Sequence, residues 1–364
     1  MTGAADIQVA VVIAARNAAG TIAQAVRSTL AQDHVREVLA VDDASSDATA
    51  AAARSGDDGS GRLTVLTAPR NLGPAAARNL ALAHSAAPYF CVLDADDYLL
   101  PGRMARLLAG RAEGWDMIAD DMIILPQDEA AAGLSFTLQR GGDTARMIGL
   151  ERFVRGNISR PGRPRGELGF LKPVVSRAFM RRHGLAYDET LRLGEDYAFY
   201  VRALIAGARF KLVSACGYVA VERPDSLSSR HSAADLRRIA EFDAAMLAGN
   251  LALSREERAA LAAHRSATWR KFVYGAALDL KRERGIGAAL AMLAASPASL
   301  PYVLAETARA KRDALIRRMR PERPRNNGLR LLIGLPGAEL ADIRRESPAA
   351  GEPPALPAVT QPAE

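Results

Sequence analysis

The segment IQVAVVIAARNAAGTIAQAVRSTLAQ (Ile7–Gln32) decides the fold of this chain. Its first part, Ile7–Ala15, is a continuous apolar run with the length of one strand. Its second part, Thr21–Gln32, places apolar residues three or four positions apart, which is the spacing of a helix with one buried face. The segment therefore predicts a buried strand followed by a helix that packs against it.

The alternation of strands and helices continues as far as residue 93. Further strands are predicted at Glu37–Val41, Leu63–Leu66 and Tyr89–Leu93, and helices near Asp47–Arg54 and at Pro74–Ser85. Strands that alternate with helices lie parallel and are joined by right-handed crossovers. We therefore predict a doubly wound α/β sheet, in which ligands bind beyond the carboxyl ends of the strands.

Composition and charge narrow the class of protein. The chain has 364 residues, of which 49% are hydrophobic, and only 2 cysteines, so we expect no disulfide framework and a cytoplasmic location. Its net charge is +7, and the stretch Pro301–Arg330 alone carries nine basic and three acidic residues. Because the rest of the chain is close to neutral, we expect one local basic surface and no nucleic-acid partner.

Three regions follow from the pattern along the chain. Residues 1–232 contain the α/β pattern, and residues 233–320 are almost entirely helical in pattern, with a basic end. Residues 321–364 hold eight of the 19 prolines, and we predict that this tail is disordered. We find no targeting signal, and the uncharged stretch Gly285–Ala305 is too rich in proline and small residues to predict a membrane span.

Acidic residues follow two of the predicted strands. Asp42–Asp43 come at the end of the second strand, and Asp94, Asp96 and Asp97 come directly after the fourth. Carboxylates at strand ends are candidate ligand contacts. Three of them within four residues repel one another unless a cation offsets their charge, and Mg²⁺ or Mn²⁺ prefers oxygen ligands of this kind.

Two later acidic pairs are open to more than one interpretation. Glu195–Asp196 precede an apolar and aromatic helix, so one of these carboxylates is a candidate general base. Acidic residues are also common in the first turn of a helix because they interact with the helix dipole. Asp120–Asp121 are either ligand contacts or the polar end of a strand.

Basic residues offer two candidate anion sites. Asn71, Gly73 and Arg78 lie around the start of the helix Pro74–Ser85, and a helix N-terminus beside a guanidinium binds anions. The loop Arg223–His231 packs hydroxyls and cations into nine residues, as a phosphate-binding loop does, or is an ordinary polar linker. The sequence contains no GxGxxG or Walker pattern after a strand, no GxSxG elbow and no histidine pair at metal-binding spacing.

Five motifs in this order resemble those of the family 2 glycosyltransferases, which have the GT-A fold. They are VVIAARNAAGTI (Val11–Ile22), AVDDASSDAT (Ala40–Thr49), NLGPAAARN (Asn71–Asn79), VLDADD (Val92–Asp97) and GEDYAFYVRAL (Gly194–Leu204). Within the family, the segment Phe170–Leu204 and the stretch GYVAVERPDSLSSRH (Gly217–His231) resemble bacterial exopolysaccharide enzymes of the succinoglycan type.

The resemblance implies a role for each matching residue. Asp43 would contact the uracil of a nucleotide sugar, and Asp94 would reach its ribose. Asp96 and Asp97 would hold Mn²⁺ or Mg²⁺ on the diphosphate, and Asp196 would deprotonate the acceptor hydroxyl. The implied donor-binding residues are Ala14, Ala15, Asn17, Asp43, Arg78, Asp94, Glu195, Arg223 and Arg230.

The implied activity is the transfer of one sugar, with inversion, from a nucleotide sugar to a growing polysaccharide. The expected donor is a UDP-hexose such as UDP-glucose, and the expected acceptor is lipid-linked or an oligosaccharide. An alternative from another class is a scaffold protein that binds the nucleotide sugar without turnover. A nicotinamide dehydrogenase would need the glycine fingerprint that this chain lacks.

A basic helix predicted at Tyr302–Arg320 bears on location. Its Lys and Arg residues are Arg309, Lys311, Arg312, Arg317, Arg318 and Arg320. Basic residues near an anionic leaflet contribute about 1 kcal/mol each. We predict a peripheral protein on the inner face of the inner membrane, with an anionic membrane surface as partner. The alternative is a solvated helix packed on the catalytic domain.

Overall fold

The computed structural model describes residues 7–109, 114–127, 145–159, 166–222, 231–319 and 330–334. Its first part alternates strictly between strands and helices. In chain order these are β1 (Val9–Ala15), α1 (Ile22–Leu30), β2 (Val35–Asp42), α2 (Thr49–Arg54), β3 (Leu63–Thr67), α3 (Pro74–Ala83) and β4 (Tyr89–Val92). The strands and helices predicted up to residue 93 are therefore confirmed, with ends that differ by a few residues.

The later strands turn the sheet from parallel to mixed. They and their helices are β5 (Tyr98–Leu99), α4 (Arg103–Leu108), β6 (Met117–Pro126), β7 (Ala145–Ile148), α5 (Leu150–Gly156), β8 (Val174–Ser176), α6 (Arg177–Arg182), α7 (Glu195–Ile205) and β9 (Phe210–Glu222). The strand order is β3-β2-β1-β4-β8-β6-β9-β5. The first four strands in this order pair in parallel, whereas β8 runs antiparallel to both β4 and β6. The α/β fold class is confirmed, and the all-parallel part of the sheet ends at β4.

Burial on both faces explains the unbroken apolar sequences of the central strands. Every residue of β1 except Ala14 is buried, and so are all 10 residues of β6. Strands covered by helices on both sides have such runs. Asp120 and Asp121 lie inside β6, which continues to Pro126, so they are not the polar end of a strand.

Among the described residues, four α-helices follow β9, and the first two pack against helices of the sheet domain. They are α8 (Ala233–Ala248), α9 (Arg255–Arg284), α10 (Ile286–Ala294) and α11 (Leu300–Met319). A capping box starts α9, in which Ser254 and Glu257 each accept a hydrogen bond from the other's amide. The Tyr197 hydroxyl of α7 donates to Asp243 of α8 at 2.8 Å, and His264 of α9 contacts the other oxygen of Asp243 at 2.6 Å. The predicted C-terminal helical region is present, and these contacts join it to the sheet domain.

A short C-terminal strand lies within the segment 321–364, for which the sequence predicts disorder. β10 (Arg330–Leu331) pairs antiparallel with β6. The next amide, that of Leu332, donates to the Met122 carbonyl at 2.8 Å. Proline content describes the average of a long segment, and it does not detect three residues that find backbone partners in a sheet. The other residues of this tail lie outside the part of the chain that the structure describes.

Judged by length and apolar composition, no single helix in the described ranges could cross a membrane. The segments Ile286–Ala294 and Pro297–Ile316 meet the same criteria only as a pair, and the pair is bent by 104°.

Candidate active site

The carboxyl ends of β1 and β2 form one edge of the site. The Asp43 amide donates to the Ala15 carbonyl at 2.8 Å, and the Asn17 side chain accepts from the Ser46 amide at 2.9 Å. Asn17 and Ala44 have positive φ angles of 51° and 53°, a left-handed conformation that is uncommon outside glycine. Backbone strain of this kind clusters at ligand-binding loops, so its position at two adjacent strand ends marks a candidate binding edge.

Asp43 ties this edge to the loop that precedes α3. Its buried carboxylate accepts hydrogen bonds from the amides of Leu72 and Gly73, at 2.6 and 2.9 Å. A carboxylate oxygen has two lone pairs, so each oxygen of Asp43 can still accept one bond from a ligand. The structure thus places Asp43 beside Ala15 and Asn17, the residues predicted to bind the base.

Arg78 of α3 is the centre of a buried ionic cluster at the neighbouring strand end. Its guanidinium contacts Glu195 at 2.6 Å, Asp196 at 2.9 Å and Asp94 at 3.2 Å. Lys172 contacts two of the same acids, Asp196 at 2.8 Å and Asp94 at 3.0 Å. We call these five residues the site cluster. It brings together three of the motifs found in the sequence, although Arg78 and Asp196 are 118 positions apart.

The site cluster contains three acids and two cations, so it has one negative charge in excess. Burial alone would lower the pKa of Arg78, but Asp196 and Glu195 raise it well above its usual value. Lys172 likewise has a raised pKa, because Asp196 and Asp94 outweigh its burial. Partial burial would raise the pKa of Asp94, but Lys172 and Arg78 lower it, whereas burial does raise the pKa of Glu195. Both cations therefore remain charged, and the excess negative charge favours a further cation nearby.

Lys172 is a site residue that the sequence analysis did not identify. It is a single lysine in an apolar segment, and no motif separates it from a surface lysine. Its backbone is held from two sides in the fold. The Lys172 carbonyl accepts from the Arg103 guanidinium at 3.0 Å, and the preceding carbonyl of Leu171 accepts from the Tyr200 hydroxyl at 3.0 Å. These contacts fix the backbone from which the Lys172 ammonium reaches Asp94 and Asp196.

Asp97 connects the loop after β4 to β9. Its buried carboxyl group accepts from the Tyr218 hydroxyl at 2.7 Å and from the Val221 amide at 2.9 Å. Burial, together with repulsion from Asp94 and Asp96, raises the pKa of Asp97 well above its usual value. These two hydrogen bonds anchor β9 to the loop after β4. Metal binding by Asp97, which also lines the pocket described next, stays a prediction.

A pocket opens in front of Asp94, Asp96 and Asp97. It holds about 620 Å³ of space, a volume that includes its open, solvent-filled mouth. Phe170 and Lys172 form one wall, and residues of β6, β9 and the C-terminal strand form the others. The predicted metal-binding carboxylates thus face a cavity that is open to solvent.

A divalent cation fits this pocket as a partner of the substrate. Within the described ranges, no three His, Cys, Asp or Glu side chains converge as a metal-binding group. Asp94 is engaged with Arg78 and Lys172, and Asp97 with Tyr218. Mg²⁺-type ions in phosphate sites use one or two carboxylates and complete their shell with phosphate and water. The residues present therefore fit a metal that arrives with a diphosphate and is held by Asp96, and they do not form a cage of their own.

Asp196 lies beside the pocket, in the first turn of α7. Asp196 does not line the pocket, but it forms a salt bridge with Lys172, which does line it. Its side chain is 11% exposed, so an acceptor hydroxyl has a narrow approach to it. Arg78 and Lys172 bind one oxygen each and so fix the orientation of this carboxylate.

The remaining candidate residues differ in outcome. Arg223 and Arg230 lie outside the described residues. Asp120 forms a salt bridge with Arg103 at 2.6 Å, and both residues are almost fully buried. Asp121 accepts hydrogen bonds from two amides of the C-terminal strand. Asp120 and Asp121 therefore hold parts of the structure together, and neither lines the pocket.

This α/β sheet, with acidic motifs at its strand ends and a buried acid at the start of α7, has the arrangement expected for a glycosyltransferase of the GT-A class. Residues 10–130 match the family model Glycosyl transferase family 2. The chain is 48% identical over 304 residues to succinoglycan biosynthesis protein ExoU of Rhizobium meliloti (strain 1021), and the match covers 84% of this chain and 88% of ExoU. It is also 35% identical to succinoglycan biosynthesis protein ExoO of the same organism, over 60% of this chain and 61% of ExoO. The chain therefore belongs to the family 2 glycosyltransferases, and its resemblance to the succinoglycan type is confirmed.

Solved structures match this chain at low sequence identity. S. aureus TarS 1–349 aligns with 78% of this chain and 90% of its own, with a TM-score of 0.49 and 16% identity. The mannosyltransferase PcManGT from Pyrobaculum calidifontis, solved in complex with GDP-Man and Mn²⁺, aligns with 83% of this chain and 80% of its own, with a TM-score of 0.47 and 18% identity. At these values the likeness concerns the fold alone.

Proposed function

We propose that this protein is an inverting glycosyltransferase that moves one sugar from a nucleotide sugar to a growing, lipid-linked exopolysaccharide. The proposed donor is a UDP-hexose such as UDP-glucose. The observation that carries the proposal is the site cluster. In it Arg78 and Lys172 each form salt bridges to both Asp94 and Asp196, so the candidate base lies close to the acidic strand end. The identity of 48% to ExoU, whose name assigns it to succinoglycan biosynthesis, supports a polysaccharide product.

In the proposed reaction Asp196 is the general base. It takes the proton of the acceptor hydroxyl while that oxygen attacks the anomeric carbon, and the bond to the nucleoside diphosphate breaks on the opposite face. A single displacement inverts the configuration, so an α-linked donor gives a β-linkage. Protonation of Asp196 takes the site cluster from one excess negative charge to neutrality, so the step leaves no unpaired charge in the buried cluster.

The proposed donor spans the two edges of the site. The base lies at the edge formed by Ala15, Asn17 and Asp43, and the diphosphate lies towards Asp96. A divalent cation held there by Asp96 would supply charge neutralisation for the departing diphosphate. Arg78 and Lys172 keep Asp94 and Asp196 in position. Of the two cations, Lys172 lines the pocket and Arg78 does not.

Release of UDP from UDP-glucose, in the presence of extracts that contain lipid-linked acceptors, tests the proposal. We expect release that requires Mn²⁺ or Mg²⁺ and that Asp96→Ala abolishes without unfolding the protein. Asp279→Ala, on the exposed face of α9, is the matched control and should keep full activity. Full activity of Asp96→Ala at unchanged Mn²⁺ would refute the metal assignment. Donor binding without release in any acceptor extract would favour the scaffold function.

We also propose that α10 and α11 attach the protein to the cytoplasmic face of the inner membrane, where a lipid-linked acceptor would lie. Large apolar side chains are exposed on both helices, including Ile286, Leu290 and Leu304 at 59%, 58% and 68%. Basic residues such as Lys311 accompany them on α11. Exposed apolar side chains next to basic ones are typical of helices that lie in a membrane interface.

Flotation with vesicles that contain anionic lipid tests the attachment. We expect binding at low salt, and loss of binding at high salt or after charge reversal of Arg317, Arg318 and Arg320. Leu290→Glu combined with Leu304→Glu should weaken binding even at low salt, because it removes the apolar contribution. Vesicles of neutral lipid are the control. Absence of binding to anionic vesicles at low salt would overturn the attachment.

A further inference from the structure

The C-terminal strand returns from the helical region to the sheet and has a fixed register there. Asp121, which is fully buried in β6, accepts hydrogen bonds from the amides of Ile333 and Gly334 at 3.0 and 2.9 Å. The Leu332 amide also donates a hydrogen bond to the Met122 carbonyl. Together these bonds fix residues 330–334 against β6. A buried carboxylate that binds two backbone amides of a distant segment is a specific anchor rather than a chance contact.

This register places the side chain of Arg330 in the wall of the pocket. Arg330 and Leu332 line the same cavity as Asp94 and Asp96. The Arg330 side chain is only 14% exposed, and its guanidinium lies 3.8 Å from the carboxylate of Glu222 at the end of β9. That separation is longer than every salt bridge of the site cluster, which range from 2.6 to 3.2 Å.

Arg330 and Lys172 both line the pocket. Lys172 makes two short salt bridges within the site cluster, to Asp94 and Asp196. The Arg330 guanidinium brings a planar set of donors to the pocket wall, and this set matches two phosphate oxygens. A guanidinium beside several carboxylates suits an anion that arrives together with a metal cation. A metal-bound diphosphate has this chemistry.

We propose that Arg330 binds the diphosphate of the donor and that residues 330–334 are part of the active site. This inference rests on the proposed function, because it takes the pocket to be the donor site. It extends the active site well beyond residue 232, the predicted end of the catalytic domain, and beyond residues 10–130, which the family model matches. During transfer the bond from the anomeric carbon to the phosphate oxygen breaks with its electron pair on that oxygen, and Arg330, which stays protonated, stabilises the added charge.

Titration calorimetry of the full chain with UDP and Mn²⁺ tests the inference. We expect Arg330→Gln to weaken UDP binding about 10- to 100-fold, the usual range for loss of hydrogen bonds to a charged group. Arg330→Lys should recover part of the affinity, because it keeps the charge but not the planar donors. Arg312→Gln is the matched control, since Arg312 is exposed on α11 and pairs with Asp313. Uridine, which has no phosphate, should bind wild type and Arg330→Gln equally.

Other outcomes separate this inference from the proposed function. Equal UDP affinity of wild type and Arg330→Gln would overturn the role of Arg330 and leave the proposed function standing. Absence of UDP binding by wild type would refute the proposed function first. A loss in Glu222→Gln as large as in Arg330→Gln would show that Arg330 acts by pairing with Glu222, and it would overturn the inference. Thermal unfolding checks that each variant folds, and Asp121→Asn, which loosens the strand without changing Arg330, should weaken UDP binding in the same direction.

Discussion

The site cluster and the salt bridge between Arg103 and Asp120 are both buried, but they are built differently. Arg103 contacts both oxygens of Asp120, and the two side chains are 1% and 2% exposed. This pair is balanced in charge and closed to solvent. The site cluster has three acids for two cations, and Asp94 at its edge is 39% exposed. A closed pair with balanced charges does not attract a charged ligand. An open cluster with an excess negative charge attracts a cation.

The two groups are connected through Lys172. Its ammonium belongs to the site cluster, and its carbonyl accepts from Arg103 at 3.0 Å. Arg103 also lies over the ring of Tyr218, 5.6 Å from its centroid, and Tyr218 holds Asp97. The closed pair thus supports the residues around the open cluster. Burial and charge by themselves do not distinguish a functional group from a structural one, but charge balance and access to the pocket do.

Breaking the closed pair should produce the largest effect, and the effect should be on stability. Arg103→Ala removes the salt-bridge partner of the buried Asp120 carboxylate, and this costs about 3–5 kcal/mol. Denaturant unfolding of the variant measures the loss. The double variant Arg103→Met with Asp120→Leu removes both charges and should recover most of the stability. A loss below about 1 kcal/mol in Arg103→Ala would show that the pair is not the support that its burial indicates.

In the open cluster, by contrast, removing a charge should impair turnover more than folding. Asp196→Asn keeps the size of the side chain and removes its ability to take a proton, so turnover should fall roughly 10²- to 10⁴-fold. Single-turnover kinetics with saturating donor measure this loss, and UDP binding should change little. Glu195→Gln, one position earlier, is the matched control and should reduce turnover much less. If Asp196→Asn loses donor binding while the bound enzyme turns over normally, Asp196 is a donor-binding residue rather than the base.

Lys172 sharpens the comparison because it belongs to both groups. Lys172→Met removes the ammonium from Asp94 and Asp196 but keeps the carbonyl that Arg103 binds. We expect turnover to fall roughly 10- to 100-fold, as after loss of a hydrogen bond to a charged group, with a smaller loss of stability than in Arg103→Ala. Lys172→Met should therefore lose mainly turnover, whereas Arg103→Ala should lose mainly unfolding free energy. Parallel losses in both measurements would mean that Lys172 is structural only.

The first part of the fold could be predicted because its signals are local. Strands β1 to β4 each contain a short apolar segment, α1 has apolar residues at helical spacing, and α2 and α3 are rich in alanine. The site residues Asp43, Arg78, Asp94 and Asp196 could be proposed for a related reason, since they lie in motifs at strand ends or helix starts. The topology alone brings such positions to one edge of the sheet.

The rest of the site depends on contacts between segments that are distant along the chain. Lys172 becomes a site residue only through Arg103 and the acids around it, and Arg330 only through the anchoring of its strand by Asp121. Asp96 and Asp97 are neighbours of identical type, so no sequence pattern shows that Asp97 turns to Tyr218. Charge patterns along the sequence identify where ligands bind, but not which carboxylate the fold uses for itself.

The smallest expected effect concerns the pH dependence of stability in the open cluster. Burial raises the pKa of Glu195 above its usual value of 4.5, so the folded protein binds a proton there more tightly than the unfolded chain does. The stability that this carboxyl group contributes is therefore fully present below its usual pKa and is lost as the pH rises through its value in the folded protein. Glu195→Gln cannot titrate and should not show this decline. In metal-free buffer, the unfolding free energy of the variant should therefore increase relative to wild type as the pH is raised from acidic to mildly alkaline values.

Glu256→Gln, at an exposed position in the first turn of α9, is the control and should follow the wild-type curve. A constant difference between Glu195→Gln and wild type, or one that moves the other way with pH, would show that the two cations of the cluster keep Glu195 ionised and outweigh its burial.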